Sequence, residues 1–108
     1  MTLNEYQAAA AKTAVYPENM KTVYPLIGLA GETGEVAEKI KKVLRDHHGV
    51  FTPESKEAIA KELGDVLWYL AAIAGDLGFA LDDIARLNLD KIASRKERGR
   101  IHGSGDER

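Results

Sequence analysis

Four carboxylates occur as two pairs, and the members of each pair are three residues apart: Glu32 with Glu35, and Glu62 with Asp65. Residues three apart are neighbours on the surface of an α-helix, so each pair presents its two carboxylates side by side. The two pairs are placed symmetrically about a turn-like segment, His47-His48-Gly49. An antiparallel helical hairpin folded there sets the pairs against each other, with Glu32 facing Asp65 and Glu35 facing Glu62. The spacing therefore predicts that all four carboxylates converge.

Converging carboxylates repel one another. Two unit charges ~4 Å apart repel by about 4 kcal/mol at an effective dielectric of 20. Protonation, basic partners or a hard cation with oxygen ligands relieves this repulsion. We expect Mg²⁺ at this cluster, with Mn²⁺ as a possible substitute. The competing interpretation is four solvated helix residues paired with nearby lysines (Lys39, Lys42 or Lys61). A di-iron site is disfavoured because it uses Glu-x-x-His pairs, and no His lies three residues after a Glu in this chain.

Helical signals dominate the chain, and strand signals are weak. Predicted helices run from Leu3 to Val15, from Pro25 to about Arg45 or Asp46, from Pro53 to about Asp76, and from about Leu81 to about Lys96. A capping-box pattern begins the first helix, and Thr52-Pro53 begins the third. The sequence therefore predicts an all-α fold, a four-helix bundle with a central antiparallel hairpin.

Length and composition narrow the class of protein. The chain has 108 residues, no cysteine and a formal net charge of −2. We expect one domain over residues 1–108, ending in a glycine-rich basic tail at 99–108. The charge balance disfavours nucleic acid as a partner, and no apolar run approaches the ~20 residues of a membrane span. A cytoplasmic protein that binds neither nucleic acid nor membrane is the expectation.

The third predicted helix has two apolar sides. Its second side carries small residues and one tryptophan: Gly64, Trp68, Ala71, Ala72 and Gly75. Small residues allow a close approach of another helix, and nothing else in so short a chain obviously covers them. We therefore expect a homodimer or homotetramer in which a second chain covers this side; a short bundle folding back on itself is the competing account.

Two motifs carry a resemblance to a known family. They are Gly31-Glu32-Thr33-Gly34-Glu35-Val36-Ala37-Glu38 and Lys61-Glu62-Leu63-Gly64-Asp65-Val66-Leu67, followed by Asn88-x-x-Lys91-x-x-x-Arg95. In this order they resemble the MazG-type all-α nucleoside triphosphate pyrophosphohydrolases, over most of the chain. The resemblance implies cleavage between the α and β phosphates to a nucleoside monophosphate and pyrophosphate. By position it makes four residues the Mg²⁺ ligands and catalytic residues: Glu32, Glu35, Glu62 and Asp65.

One position departs from the family pattern. Many members have a further Glu where this chain has Gly31, and that extra carboxylate is a candidate for activating water. Either Mg²⁺ acidifies the water sufficiently, or one of the four motif carboxylates doubles as the base. Glu38 is a spare carboxylate, but the helical wheel turns it away from the apolar stripe.

Substrate contacts are expected from residues outside the acidic pairs. Lys91 and Arg95 are four apart and so share one face of the fourth helix, and Asn88 lies one turn earlier. Tyr69 lies one turn after Asp65, and the resemblance places this position at the border of the nucleotide. Trp68 is interpreted as a core or interface residue, with base stacking as the alternative. Tyr16 and Tyr24, which bracket the connector before the second helix, can close over a base.

The function that this resemblance implies is Mg²⁺-dependent hydrolysis of nucleoside triphosphates, serving to clean the nucleotide pool. A phosphoribosyl-ATP pyrophosphatase or a dUTP diphosphatase is an alternative within the same superfamily. A helical interaction module without catalysis is the alternative of another class. The intact acidic pairs argue against it, because a module without a metal has no use for four mutually repelling carboxylates.

Overall fold

The computed structural model describes residues 1–108 and is entirely helical. Its elements are α1 (Leu3–Ala11), a 3₁₀ turn (Glu18–Met20), α2 (Val23–Asp46), α3 (Pro53–Asp76) and α4 (Leu81–Glu97). The predicted all-α fold with four helices is confirmed.

A hairpin of α2 and α3 forms the centre of the fold. The turn between them uses two left-handed residues, His48 with φ 54° and Gly49 with φ 75°. α3 then starts with a capping box, in which the side chains of Thr52 and Ser55 each accept the other's backbone N–H, and with Pro53 in its first turn. The turn predicted at His47–Gly49 is therefore where the chain reverses.

Two helix boundaries differ from the prediction. α1 ends at Ala11 rather than Val15, because Thr13 hydrogen bonds by both its backbone N–H and its hydroxyl to the carbonyl of Ala10, at 3.0 and 2.7 Å. α2 begins at Val23, two residues before Pro25. A proline is tolerated there because the first N–H groups of a helix have no partner within it.

α1 packs across the start of α4 and supplies the cap that α4 lacks. Ala80 occupies the N-cap position of α4 and makes no side-chain cap. Instead the Gln7 side chain accepts from the Leu81 N–H at 2.9 Å, and the Asn4 side chain accepts from the Asp82 N–H at 3.0 Å. Polar residues of α1 thus fix where α4 leaves the bundle.

α1 also covers most of the small-residue side of α3. Ala71 is only 2 % exposed within one chain, and the Trp68 indole N–H donates to the Thr13 hydroxyl at 2.8 Å. The alanine-rich face of α1 allows this close approach. One chain therefore buries Ala71, as in the competing account of a bundle that folds back on itself, while Gly64 and Gly75 of this side remain exposed. Cover by a second chain stays a prediction.

A different side of α3 is left open. Leu63, Leu70 and Leu77 follow one another at intervals of seven residues and are 52, 41 and 59 % exposed. The whole chain is also expanded: its radius of gyration is 16.8 Å, against about 13 Å for a compact domain of this length. One chain therefore buries little of its own apolar surface.

α4 turns away from the hairpin, since α3 and α4 are bent by 98° relative to each other. No single helix is long and apolar enough to cross a membrane; α3 and α4 satisfy that requirement only when this bent pair is taken together.

Candidate metal centre and active site

Three of the four predicted carboxylates meet where α2 and α3 pack together. One carboxylate oxygen from each of Glu32, Glu62 and Asp65 lies within 4.8 Å of the other two. Glu32 and Glu62 are half-buried, and Asp65 is exposed. The hairpin alone therefore assembles a cluster of three acidic side chains, which we call the carboxylate triad.

Glu35 lies outside the triad, although the sequence predicts that it joins it. Around α2 it is rotated by about 60° from Glu32 at 100° per residue. That rotation takes it away from the line of α2 that carries the buried residues Pro25 and Val43. Glu35 is accordingly exposed, and its charge still acts on Glu32.

The triad concentrates negative charge. Partial burial, a hydrogen bond with Glu62 and the charges of Asp65, Glu62 and Glu35 together raise the pKa of Glu32. Lys39 offsets part of this charge, with its ammonium 3.5 Å from a Glu62 oxygen; a lysine partner of this kind is one feature of the solvated-helix interpretation. One lysine against several carboxylates still leaves an excess of negative charge. Clustered carboxylate oxygens of this kind suit a hard divalent cation.

Tyr69 lies beside the triad, as predicted, because its ring packs directly on Gly28 of α2. A Cβ atom at Gly28 would stand 2.2 Å from the ring carbon Cε1, so no larger residue fits there without displacing the ring. Burial first, and then the neighbouring Tyr24 and the charges of Glu32 and Asp65, raise the pKa of Tyr69. The tyrosine therefore forms one side of the acidic site.

Tyr6 of α1 also approaches the site, and sequence reasoning missed it. Burial and the charge of Asp65 raise the pKa of the Tyr6 phenol. Nothing in the sequence of α1 marks this residue, because its position depends on how α1 crosses α3.

An aromatic pocket lies against Tyr69, on which the charges of Glu32 and Asp65 act. Its volume is about 370 Å³, and its lining consists of Thr13, Val15, Tyr16, Pro17, Tyr24, Trp68 and Tyr69. Tyr16 and Tyr24 are stacked with ring centres 5.2 Å apart, and Trp68 meets Tyr69 edge to face at 5.0 Å. A larger groove of about 580 Å³ between α1 and α3 shares Tyr16 and Trp68 with it. Stacked aromatic side chains of this kind can receive a planar ring.

The predicted cations lie elsewhere, on α4 under the C-terminal tail. Arg95 is buried, and its guanidinium donates to the Asp106 carbonyl at 2.9 Å, while its Nε has no partner. The Lys91 ammonium lies 3.4 Å from the Asp106 carboxylate. Hydrogen bonds and charge from Lys91, and then from Arg95, lower the pKa of Asp106. Asn88 is exposed on the same helix.

One chain does not bring these α4 residues to the triad. Asp65 lies eleven residues before the end of α3, and Lys91 lies ten residues after the start of α4. At 1.5 Å per residue, and with the helices nearly perpendicular, the two are about 20 Å apart. The predicted substrate-binding roles of Asn88, Lys91 and Arg95 therefore stay predictions.

Comparison with known proteins agrees with this arrangement. The family model of the MazG nucleotide pyrophosphohydrolase domain matches residues 22–99, which include both acidic pairs and all of α4. The Gene 37 protein of Mycobacterium phage L5 is 46 % identical over 114 aligned positions that span 100 % of both chains. No solved structure shows a significant match. With acidic pairs, hairpin and family model in agreement, the chain belongs to the MazG nucleotide pyrophosphohydrolase domain family.

Proposed function

We propose that this protein is a Mg²⁺-dependent nucleoside triphosphate pyrophosphohydrolase, which converts a ribo- or deoxyribonucleoside triphosphate into the monophosphate and pyrophosphate. The observation that carries the proposal is the carboxylate triad, in which three side-chain oxygens lie within 4.8 Å of one another in a family of nucleotide pyrophosphohydrolases. A cytoplasmic role in clearing the nucleotide pool is part of the proposal.

The triad residues Glu32, Glu62 and Asp65 are the proposed ligands for Mg²⁺, and the same oxygen ligands accept Mn²⁺. When bound, the cation supplies positive charge that stabilises the phosphate oxygens in the transition state. Lys39 holds the Glu62 carboxylate from the α2 side, with the 3.5 Å contact between them. The fit rests on the donor set: three carboxylate oxygens lie within 4.8 Å of one another, and Lys39 is the lysine in contact with them.

Glu35 is the proposed general base. The position before Glu32 is Gly31, which has no side chain to accept a proton. Glu35 is close enough to influence Glu32 yet stands outside the triad, so its carboxylate is free to accept a proton from water. In the reaction, the water oxygen forms a bond to phosphorus at the α–β linkage. The bridging P–O bond then breaks, pyrophosphate leaves, and the proton remains on the carboxylate.

The aromatic pocket is the proposed site for the nucleobase. Tyr69 lines this pocket, and the charges of Glu32 and Asp65 act on it, so a base stacked in the pocket would place its phosphates near the carboxylates. Bases stack on aromatic side chains irrespective of sequence, which suits an enzyme with several substrates.

The phosphates also need cations, and we propose that a second copy of this chain supplies them. Lys91 lies about 20 Å from Asp65 of its own chain, by the helix geometry above, and Arg95 lies one turn farther along α4. The exposed leucine row Leu63–Leu70–Leu77 offers a face for a homodimer or homotetramer, since a repeat of seven residues packs helix against helix.

The reaction is tested with a panel of canonical and modified triphosphates, dUTP and phosphoribosyl-ATP included, with Mg²⁺ and with a chelator. We expect Mg²⁺-dependent formation of the monophosphate and pyrophosphate, resolved by chromatography. Nucleoside diphosphate and orthophosphate as products contradict cleavage at the α–β linkage. Activity confined to dUTP or to phosphoribosyl-ATP assigns the chain to that alternative, and no turnover of any compound supports the non-catalytic module.

A further inference from the structure

Asp76, at the last position of α3, ties the connector before α2 to the end of the hairpin. Its Oδ2 atom accepts a hydrogen bond from the Tyr16 hydroxyl at 2.8 Å and another from the Thr22 backbone N–H, also at 2.8 Å. Both bonds are partly buried and join residues more than fifty positions apart in the chain. Asp76 belongs to neither acidic pair.

Thr22 adopts a backbone conformation that a threonine rarely takes. Its φ and ψ are 67° and −50°, and the Val23 N–H bonds back to the Lys21 carbonyl at 2.7 Å. This is the γ-turn with positive φ, the rarer and more strained of the two forms. A β-branched residue in the left-handed region is an outlier that only its surroundings can hold in place.

The other two threonines at helix starts show what Thr22 would otherwise do. Thr2 and Thr52 precede α1 and α3 with φ near −90° and ψ of 165°, and each caps its helix with its side chain. Thr22 precedes α2, makes no side-chain cap and is left-handed. The difference coincides with the Asp76 carboxylate, which binds the Thr22 N–H at 2.8 Å.

The strained turn determines where two aromatic rings lie. Tyr24 follows it by two residues and stacks on Tyr16, with ring centres 5.2 Å apart and planes 27° from parallel. These two rings form the connector side of the aromatic pocket, opposite Trp68 and Tyr69 of α3. Release of Thr22 to an extended conformation would redirect the chain at the start of α2 and separate the stacked rings.

We propose that Asp76 is a positioning residue for the nucleobase: by holding Tyr16 and Thr22 together, it maintains the strained turn and keeps the Tyr16–Tyr24 wall of the aromatic pocket in place. The inference rests on the proposed function, since the occupant of the pocket is taken to be the base of a nucleotide. Asp76 acts through the connector and does not touch the phosphates.

The test compares Asp76→Ala with the wild type, using a nucleoside triphosphate as substrate and inorganic tripolyphosphate, which has no base, as a competing inhibitor. We expect KM to rise about tenfold, the scale of losing one base–aromatic stacking contact. We expect kcat to change by less than about twofold, because contacts with the base stabilise the bound substrate and the transition state equally. We expect the inhibition constant of tripolyphosphate to change equally little, because the phosphate site is intact. Asp83→Ala, which removes an exposed carboxylate in the first turn of α4, is the matched control.

Unchanged KM overturns the inference, and so does an equal rise in KM and in the inhibition constant of tripolyphosphate, or a parallel fall in kcat. If circular dichroism shows that the alanine variant is unfolded, the same measurements are made on Asp76→Asn and Tyr16→Phe, which are smaller changes of structure. Trp68 is the single tryptophan and lines the pocket, so its quenching by nucleotide reports binding without turnover. A wild type that hydrolyses nothing refutes the proposed function. An active wild type whose Asp76→Ala variant has an unchanged KM refutes this inference alone.

Discussion

The two charged halves of the site are built in different ways. The negative half lies within one hairpin, where Glu32 of α2 and Glu62 and Asp65 of α3 bring oxygens within 4.8 Å of one another. The positive half lies on α4, where Lys91 and Arg95 contact the tail through Asp106. Local folding assembles the first half, while the second is turned away by the 98° bend between α3 and α4.

This difference is the reason for proposing that a second chain supplies the cations. A hairpin positions its own facing residues, because a short turn sets the register between its two helices. α4 has no facing helix of this kind in its own chain. It is held at its start, where Gln7 and Asn4 cap it, and near its end by the contacts of Lys91 and Arg95 with the tail. The carboxylates are therefore preorganised within one chain, whereas the proposed function takes its cations from a second chain.

The largest effect is expected from removing a triad carboxylate. Asp65→Asn should lower kcat/KM by about 100-fold or more, the scale of losing one essential electrostatic group. Its thermal midpoint should stay level or rise, because one of several repelling charges is gone. Steady-state kinetics and a thermal melt measure both.

Glu38→Gln is the matched control for that variant. Glu38 is also on α2, but its carboxylate pairs with Lys41 at 2.9 Å rather than with the triad. Activity of Asp65→Asn within tenfold of the wild type, or an equal loss in Glu38→Gln, would remove the triad from the mechanism.

A mixing experiment tests whether the carboxylates and the cations of one site come from different chains. Asp65→Asn and Lys91→Gln chains are each expected to be nearly inactive alone. If cations serve the triad of a neighbouring chain, random reassociation into dimers should restore about a quarter of wild-type activity, because half of the dimers are mixed and each has one intact site. A chain with both substitutions, mixed with either single variant, is the control. No recovery in the Asp65→Asn and Lys91→Gln mixture places both halves in one chain and refutes the proposed sharing.

The smallest effect is expected for a substitution in the exposed leucine row, which should change the mass of the assembly. Leu70→Glu places a charge in the exposed leucine row and should shift the protein toward a single chain of 11.8 kDa, measured by light scattering at micromolar concentration. Lys61→Glu, which adds a carboxylate on a different side of α3, should leave the mass unchanged. A wild type that already has the mass of one chain contradicts the assembly itself.

Much of the fold follows from local sequence rules. Capping at Thr2 and Thr52, the turn at His47–Gly49 and the spacing of apolar residues predict helices whose hairpin is confirmed. The early end of α1 was not predicted. It depends on Thr13, whose hydroxyl bonds to the Ala10 carbonyl and accepts from the indole of Trp68, a residue 55 positions away.

The carboxylate site could be predicted from the sequence about as completely as the fold. Pair spacing and hairpin symmetry identify Glu32, Glu62 and Asp65, but they also include Glu35, which the rotation of α2 leaves outside. Tyr6 and Asp76 depend on contacts between distant segments, for which a single sequence has no periodic signal. The small residues on one side of α3 predict a close contact with another helix, and the structure has one. The contacting helix is α1 of the same chain.

Titration with Mn²⁺, followed by electron paramagnetic resonance, tests without any substrate whether the triad binds a divalent cation. Wild type and the Glu38→Gln control should bind Mn²⁺ saturably and with the same affinity, and Mg²⁺ should compete for the site. Glu32→Gln should weaken binding by about tenfold or more, because the charge count of the ligands sets affinity. Equal Mn²⁺ affinity in Glu32→Gln and wild type would contradict the account.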